Sequence, residues 1–383
     1  MKQREEKKDY VLLFVLGCLL IYSLIAVYSG SGQYVQEDPY FFVKRQLFWY
    51  VIGFIIMMCT AYFDYQLLER VALYLYIMGV TMLLTVHFFG VTKNGSTRWI
   101  DLGFFDLQPS EFIKIFLILH LAVLLKRIGV ERITFTASIF ITVKVILFAV
   151  FPFALILVQP DLGSALMIAS ITIIMLVISS ISLKMIGLLV ISLFTSFLSL
   201  VYIYFNYFDL FTKIFKPHQM GRIYGWLNPN EYASDYGYQL KQAVLGIGSG
   251  QLTGAGFNQG VQVQNGKIPE AHTDFIFAVI GEDFGFVGAC ILISLYFILI
   301  YRIIVIALGS NDLFGAYISV GIVGLLTFQV FQNIAMTIGL MPITGLPLPF
   351  ISYGGSALLT NMIAMGLVLS VHKRSRNYMF ASD

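Results

Sequence analysis

The sequence predicts an all-α integral membrane protein with about ten transmembrane helices and a long fourth extracytoplasmic loop. Three observations carry that fold class. Of 383 residues, 58% are apolar and only 12% are charged, whereas soluble domains carry about 25% charged residues. The apolar residues fall in runs close to the ~20 residues that a helix needs to cross the hydrocarbon. One interruption, residues 208–272, is 65 residues long and holds ten glycines, far beyond an ordinary connection.

The elements follow in order. The first run, 10–28, comes after a charged opening from Met1 to Asp9. No small-residue cleavage site follows it, so it reads as an uncleaved first helix and not a signal peptide. Runs at 46–63, 71–90, 111–125, 137–158, 162–180 and 183–207 come next, the fourth span being short. Residues 208–272 keep Tyr224, Trp226, Tyr238, Leu240, Val244 and Ile247, which predicts short interfacial helices packed on the membrane surface. The run at 273–308 is long for one span and must tilt, kink or project. Runs at 314–338 and 355–372 complete the set. There is no tandem repeat and no soluble domain boundary, so residues 1–383 read as a single polytopic membrane domain. No glycine fingerprint for nucleotides is present, and no nucleic-acid partner is expected. Cys18, Cys59 and Cys290 all lie in apolar runs, without metal-ligand spacing or a disulfide pattern.

Orientation comes from the basic residues, which favour the cytoplasmic side of short loops. With both termini cytoplasmic, the inner segments hold Lys2, Arg4, Lys7, Lys8, Arg70, Lys126, Arg127, Arg132, Lys184, Arg302, Lys373, Arg374 and Arg376. The short outer loops hold Lys44, Arg45, Lys93 and Arg98, so thirteen stand against four.

Ionisable residues within or beside a span are costly and mark function by default. Glu111 and Lys114 open the fourth span at i, i+3, as a local ion pair or as a charged pair facing an outward cavity. Asp161 follows Pro160 between two spans, where it suits a turn or helix N-cap. Arg98 and Arg45 suit interfacial anchors or a grip on an anionic head group. At Pro269-Glu270-Ala271-His272-Thr273-Asp274-Phe275 the long loop enters the eighth span. If Pro269 is the first helical residue, Glu270 and Asp274 share a face one turn apart. Close carboxylates raise one pKa, which suits a general base, while a helix N-terminus pulls the other way. Glu282 and Asp283 read as facing the bundle interior, because eight residues of helix separate Asp274 from Glu282 by ~12 Å, too far for a glycosidase pair. Gly345-Leu346-Pro347-Leu348-Pro349-Phe350-Ile351-Ser352-Tyr353-Gly354-Gly355-Ser356 cannot be plain helix. It reads as a re-entrant turn into the tenth span or as a cavity wall.

These stretches carry a resemblance. Arg98-Trp99-Ile100, Gln108-Pro109-Ser110-Glu111, Gln159-Pro160-Asp161-Leu162-Gly163, Pro269 to Phe275 and Pro349 to Ser356 resemble, in order, the shape, elongation, division and sporulation (SEDS) family of bacterial membrane glycosyltransferases. Met341 to Pro349 is most similar to the family's rod-shape branch; the division branch typically has a lysine after the threonine, which this chain lacks. The resemblance implies a peptidoglycan glycosyltransferase that polymerises lipid II, a disaccharide-pentapeptide on undecaprenyl pyrophosphate, outside the cytoplasmic membrane. It implies a class B penicillin-binding protein and other elongation-machinery membrane proteins as partners. The family's essential aspartate falls on Asp274, and its polar positions on Arg45, Arg98, Glu111, Lys114, Asp161 and Arg222. Ser164 stands where the family usually has threonine, and it keeps the hydroxyl.

The chemistry agrees with that resemblance. A sugar hydroxyl is a poor nucleophile until a base takes its proton, and Asp274 is the expected catalytic residue. Glu270 and Ser356 join the six polar positions as expected substrate-binding residues. A pyrophosphate leaving group calls for cations, and a divalent cation, magnesium or manganese, would assist. Two other readings remain: a lipid II flippase, and a scaffold that only activates a partner. A flippase needs a polar path open alternately to both faces, whereas these charges cluster at one side. An intact Asp274 argues against the scaffold.

Overall fold

The computed structural model describes residues 9–32, 38–93, 96–101, 103, 106–214, 217–232 and 236–375. The basic residues Lys2, Arg4, Lys7, Lys8 and Arg376 of the orientation argument lie outside the described residues, as does the side chain of Lys93. Ten long helices match the ten predicted spans. They are α1 (Tyr10–Ser31), α2 (Phe41–Tyr62), α3 (Tyr65–Phe89), α4 (Pro109–Lys126), α5 (Phe135–Val158), α6 (Leu162–Ile178), α7 (Leu183–Asn206), α12 (Ile276–Leu308), α13 (Leu313–Thr337) and α14 (Gly355–Arg374). Among the described residues eight of them are long and apolar enough to cross a membrane by length and composition. The other two are α6, which is short at 17 residues, and α4, which carries Glu111, Lys114 and Lys126. The protein is a multi-pass membrane protein.

Local chemistry starts these helices where they start. Asp9, Asp64, Thr134, Asp161, Ser182 and Asp312 each accept a hydrogen bond from a first-turn amide of the helix that follows, replacing the partner those amides lack. Pro109 begins α4, where its missing N–H costs nothing. At one end of the bundle Arg302 pairs with Asp9 at 2.6 Å, Lys126 with Glu69 at 2.7 Å and Arg374 with Asp64 at 3.2 Å. The candidate site lies at the other end.

That end is built from short elements. Between α3 and α4, β1 (Val91–Lys93), β2 (Ser96–Asp101) and β3 (Asp106–Leu107) form an antiparallel sheet with Thr92 opposite Thr97 and Ile100 opposite Leu107. The long loop contains α8 (Phe208–Ile214), α9 (Pro217–Leu227), α10 (Tyr236–Gly250) and α11 (Val261–Gln264). Short helices were expected there, but the segment does more than lie on a surface. Leu240, Ala243, Val263, Ile268 and Ala271 form a buried core with Phe275, Val279, Met336 and Ile343.

The long eighth run is broken, as its length required. At Gly285 the backbone leaves the helical region, with φ 62° and ψ −158°. The break exposes backbone groups on both sides, and residues 251–256 satisfy them. Ala255 and Gly256 amides donate to the Glu282 and Asp283 carbonyls at 2.9 and 3.1 Å, while Phe286 and Val287 amides donate to the Gln251 and Leu252 carbonyls at 2.9 and 3.1 Å. A loop thus replaces the helix's own ladder. The Glu282 and Asp283 side chains are buried, as expected, and tie down the same loop. Glu282 accepts from the Gln262 and Val263 amides at 2.7 and 3.0 Å; Asp283 accepts from the Asn258 and Gly260 amides at 3.2 Å each and from the Ser29 hydroxyl.

The stretch from Gly339 to Gly354 is non-helical and largely buried between α13 and α14. Each buried carbonyl there needs a donor, and side chains from four spans supply them. Ser23 of α1 donates to Ile351, Gln46 and Tyr50 of α2 to Ser352 and Phe350, Tyr296 of α12 to Pro349, and Gln329 of α13 to Pro347.

Candidate active site

Asp274 sits in a turn, not a helix. Helix α12 starts at Ile276, so Pro269 is not its first residue; the Thr273 and Phe275 amides instead both donate to the Glu270 carbonyl at 3.1 Å. Glu270 takes a positive φ of 53° to allow this. The Thr273 hydroxyl holds the Glu270 carboxylate at 2.7 Å. The two carboxylates are still neighbours, through a tight turn in place of a helical face.

The turn is fastened to the Gly339–Gly354 loop. Tyr353 donates its amide to the His272 carbonyl at 2.9 Å, and the Ser352 hydroxyl donates to the Thr273 carbonyl. Asn333 of α13 donates to the Asp274 carbonyl at 2.7 Å. Gly345 has φ 73°, and a Cβ built on it falls 3.2 Å from Asp274 Oδ2. The loop therefore walls the carboxyl group closely, and Asp274 is half-buried. Burial, joined by the negative charge of Glu270, pushes its pKa up to about 7 against the pull of Arg98 and Arg222, with Asp161 adding to the rise. A carboxyl group poised there exchanges a proton near neutral pH.

The arginines arrive from separate elements. Arg98, on β2, lies 3.4 Å from Asp161 Oδ2 and 5.6 Å from the centre of the Trp99 ring. Asp161 caps α6 by accepting from the Ser164 amide at 3.0 Å and the Ser164 hydroxyl at 2.9 Å. The N-cap expected for Asp161 is present, and so is the charge partner. Arg222, on α9, donates to the Ile343 and Thr344 carbonyls at 3.4 Å each. The structure thus brings together Asp274, Glu270, Arg98, Arg222 and Asp161.

The other expected residues are placed differently. Lys114 and Glu111 are buried and meet at 2.7 Å, with Thr360 of α14 3.4 Å from Glu111 and Met167 of α6 3.7 Å from Lys114. They neutralise each other between three helices and do not snorkel. Ser356 accepts from the Gln108 amide at 3.2 Å and donates to the Asp106 carbonyl at 2.9 Å, pinning α14 to the start of α4. Arg45 is exposed in the first turn of α2, 5.3 Å from the Phe41 ring centre, and its charge restrains the rise that burial gives the Tyr353 hydroxyl. Sequence reasoning missed Gln329, Gln332 and Asn333, all fully buried on α13. Their i, i+3, i+4 spacing in an apolar span is the available signal.

The profile of the FtsW, RodA and SpoVE family, described as a cell cycle protein, matches residues 9–377. The chain belongs to this family. Stage V sporulation protein E of Bacillus subtilis is 35% identical over 98% of this chain and all of its own length. Peptidoglycan glycosyltransferase MrdB of Escherichia coli K12 is 35% identical over 95% of this chain and 93% of its own. The probable peptidoglycan glycosyltransferase FtsW of Trichlorobacter lovleyi is also 35% identical, over 95% of this chain and 92% of its own. Division, rod-shape and sporulation relatives are thus equally similar. Among solved structures, a chain from work described as structural coordination of polymerization and crosslinking by a peptidoglycan synthase complex superposes with TM-score 0.78 at 28% identity, covering 96% of this chain and 98% of that one. The rod shape determining protein RodA of Thermus thermophilus gives 0.68 at 26% identity, covering 96% and 97%.

The expected divalent cation has no protein-built cage here. Among the described residues no three His, Cys, Asp or Glu side chains group to hold a metal. Asp161 is engaged by Arg98 and Ser164, and Glu270 by Thr273.

Proposed function

We propose that this chain is a peptidoglycan glycosyltransferase that polymerises lipid II into glycan strands at the outer face of the bacterial cytoplasmic membrane, with both termini cytoplasmic. The observation that carries the reading is the Asp274 carboxyl group, half-buried against the Gly345 wall in a turn that faces Arg98 and Arg222 at one end of a membrane bundle. The carboxylate of Asp274 takes the proton of the acceptor sugar hydroxyl. The resulting oxygen attacks the anomeric carbon of the donor, and that bond forms as the bond to the undecaprenyl pyrophosphate oxygen breaks. Attack from the opposite side inverts an α-linked donor to a β-1,4 product. Charge gathers on the departing pyrophosphate, where Arg98 and Arg222 offer preorganised cations. Arg45, exposed at the membrane edge of α2, suits capture of the anionic head group before transfer.

Asp161, Glu111, Lys114 and Ser356 serve this site from behind. Asp161 orients Arg98, the buried ion pair joins α4 to α14 and α6, and Ser356 fixes the α4–α14 junction. A class B penicillin-binding protein is the proposed cross-linking partner, alongside other membrane proteins of the elongation machinery. The rod-shape assignment rests on Met341 to Pro349; depletion giving round cells supports it, and depletion giving filaments or a spore defect overturns it. The chemistry is tested with purified lipid II and detergent-solubilised protein, with and without the partner. Glycan ladders are expected from wild type and not from Asp274→Ala. Full activity in Asp274→Ala overturns the assignment of the base.

A further inference from the structure

Asn333 is fully buried in α13. Its Nδ2 donates to the Asp274 carbonyl and to the Leu346 carbonyl, both at 2.7 Å. One amide thereby joins the turn carrying the proposed base to the loop that walls it. Among neutral side chains only Asn and Gln carry two donors on one nitrogen; a hydroxyl carries one and a carboxylate none. Leu346 adjoins Gly345, whose built Cβ lies 3.2 Å from Asp274 Oδ2. This bridge is the link that holds Asp274 itself to the wall, while the Tyr353–His272 and Ser352–Thr273 bonds hold the residues before it. The neighbours on the same helix hold other parts of the loop, Gln329 at the Pro347 carbonyl (2.9 Å) and Gln332 at the Thr344 hydroxyl (3.3 Å). Loss of Asn333 alone thus leaves the loop seated and the turn still tied at His272 and Thr273, and releases only the Asp274 end of the turn.

We propose that Asn333 is a positioning residue that fixes the Asp274 carboxylate against the Gly345 wall, at the orientation the acceptor hydroxyl must meet. The inference rests on the glycosyltransferase reading above. Charged groups facing Asp274 are Glu270 from its own turn, Asp161 from the start of α6, Arg98 from β2 and Arg222 from α9, and none of them is altered by the substitutions below.

The test uses the full chain with its cross-linking partner and lipid II, comparing wild type with Asn333→Leu, Asn333→Gln and Asn333→Ser. Asn333→Leu keeps the branched shape and removes both donors. It is expected to lower kcat about 100-fold, the scale of an ångström of misplacement, with KM for lipid II within about threefold. The midpoint of the pH–rate profile moves down as the freed carboxylate gains water. Asn333→Gln, with both donors, recovers part of kcat, and Asn333→Ser, with one, recovers less. Unfolding midpoints are measured alongside, and Asn333→Ser serves as the test if Asn333→Leu does not fold. Unchanged kcat, a rise in KM alone, or a fall in kcat that tracks the folded fraction with a static pH midpoint overturns the proposal. A wild type that makes no glycan overturns the functional reading and this inference with it; an active wild type with an indifferent Asn333→Leu overturns only the inference.

Discussion

The buried pair of Lys114 and Glu111 allows a prediction that separates support from substrate contact. The two groups lie 2.7 Å apart with side chains 2% and 3% exposed. Lys114→Met removes the cation and leaves Glu111 with Thr360, 3.4 Å away, as its remaining partner. Breaking one side of a buried pair costs about 3–5 kcal/mol, because the other charge stays dehydrated. At about 1.4 kcal/mol per tenfold, that is a loss of about 100- to 4,000-fold in the folding equilibrium. Replacing both partners with apolar groups of similar size is often neutral. The double variant Lys114→Met/Glu111→Leu should therefore recover to within about 1 kcal/mol of wild type. Unfolding of the detergent-solubilised protein gives the stabilities, and glycan synthesis from lipid II gives the activity. If the pair only joins α4 to α14 and α6, the double variant regains activity along with stability. A double variant as unstable as Lys114→Met refutes the reasoning, and one that is stable and inactive restores the pair to substrate binding, as the sequence led one to expect.

Four further outcomes follow, three from the site and one from the break in α12. Asp274 acts ionised and its pKa is about 7, so the polymerisation rate should fall about tenfold per pH unit below that value. Glu270→Gln removes a like charge and should move the midpoint down, while Arg98→Gln removes an opposite charge and should move it up; a pH–rate series on the three proteins reads both signs. Gly345→Ala places a Cβ beside Asp274 Oδ2 at φ 73°, where an L-residue costs about 1–2 kcal/mol. It should reduce kcat at least tenfold with a comparatively small change in unfolding midpoint. Gly254→Ala, at φ 84°, would drive a Cβ into the Asp283 carbonyl; loss of the folded protein is expected in thermal unfolding, because the break in α12 loses its replacement hydrogen bonds.

The bundle was legible because lipid imposes a simple rule, roughly 20 apolar residues per crossing. The break in α12 was half legible. Its length signalled trouble, but the compensating bonds from Gln251, Leu252, Ala255 and Gly256 are backbone to backbone, and no side-chain pattern records them. The sheet that carries Arg98 was missed although Asn94-Gly95 between Val91-Thr92-Lys93 and Ser96-Thr97-Arg98 is a strong hairpin signal. A search for spans passes over strands of that length. Asp274 and Glu270 were found as neighbours for the wrong geometric reason, since Glu270 reaches its place through a positive φ and not a helical turn. Gln329, Gln332 and Asn333 escaped notice because attention went to ionisable groups. Inside a membrane a neutral amide is the cheaper way to hold a carbonyl, and its value appears only once its partners are known.

The loop from Gly339 to Gly354 has a consequence for how the protein is made. Its carbonyls wait for Ser23, Tyr50 and Gln46, whose bonds span 328, 300 and 306 residues of chain. These are among the last contacts a growing polypeptide can close. Among the described residues, eight of the spans are long and apolar enough to enter the bilayer on their own hydrophobicity as they leave the ribosome, with no reference to this loop. Insertion and maturation are therefore distinct events. A nascent chain stalled before this loop is already a membrane protein, with Asp274 present but unwalled. The geometry proposed for transfer exists only after this late loop has met the first two spans, so a half-built enzyme does not begin work on substrate already present at the membrane surface.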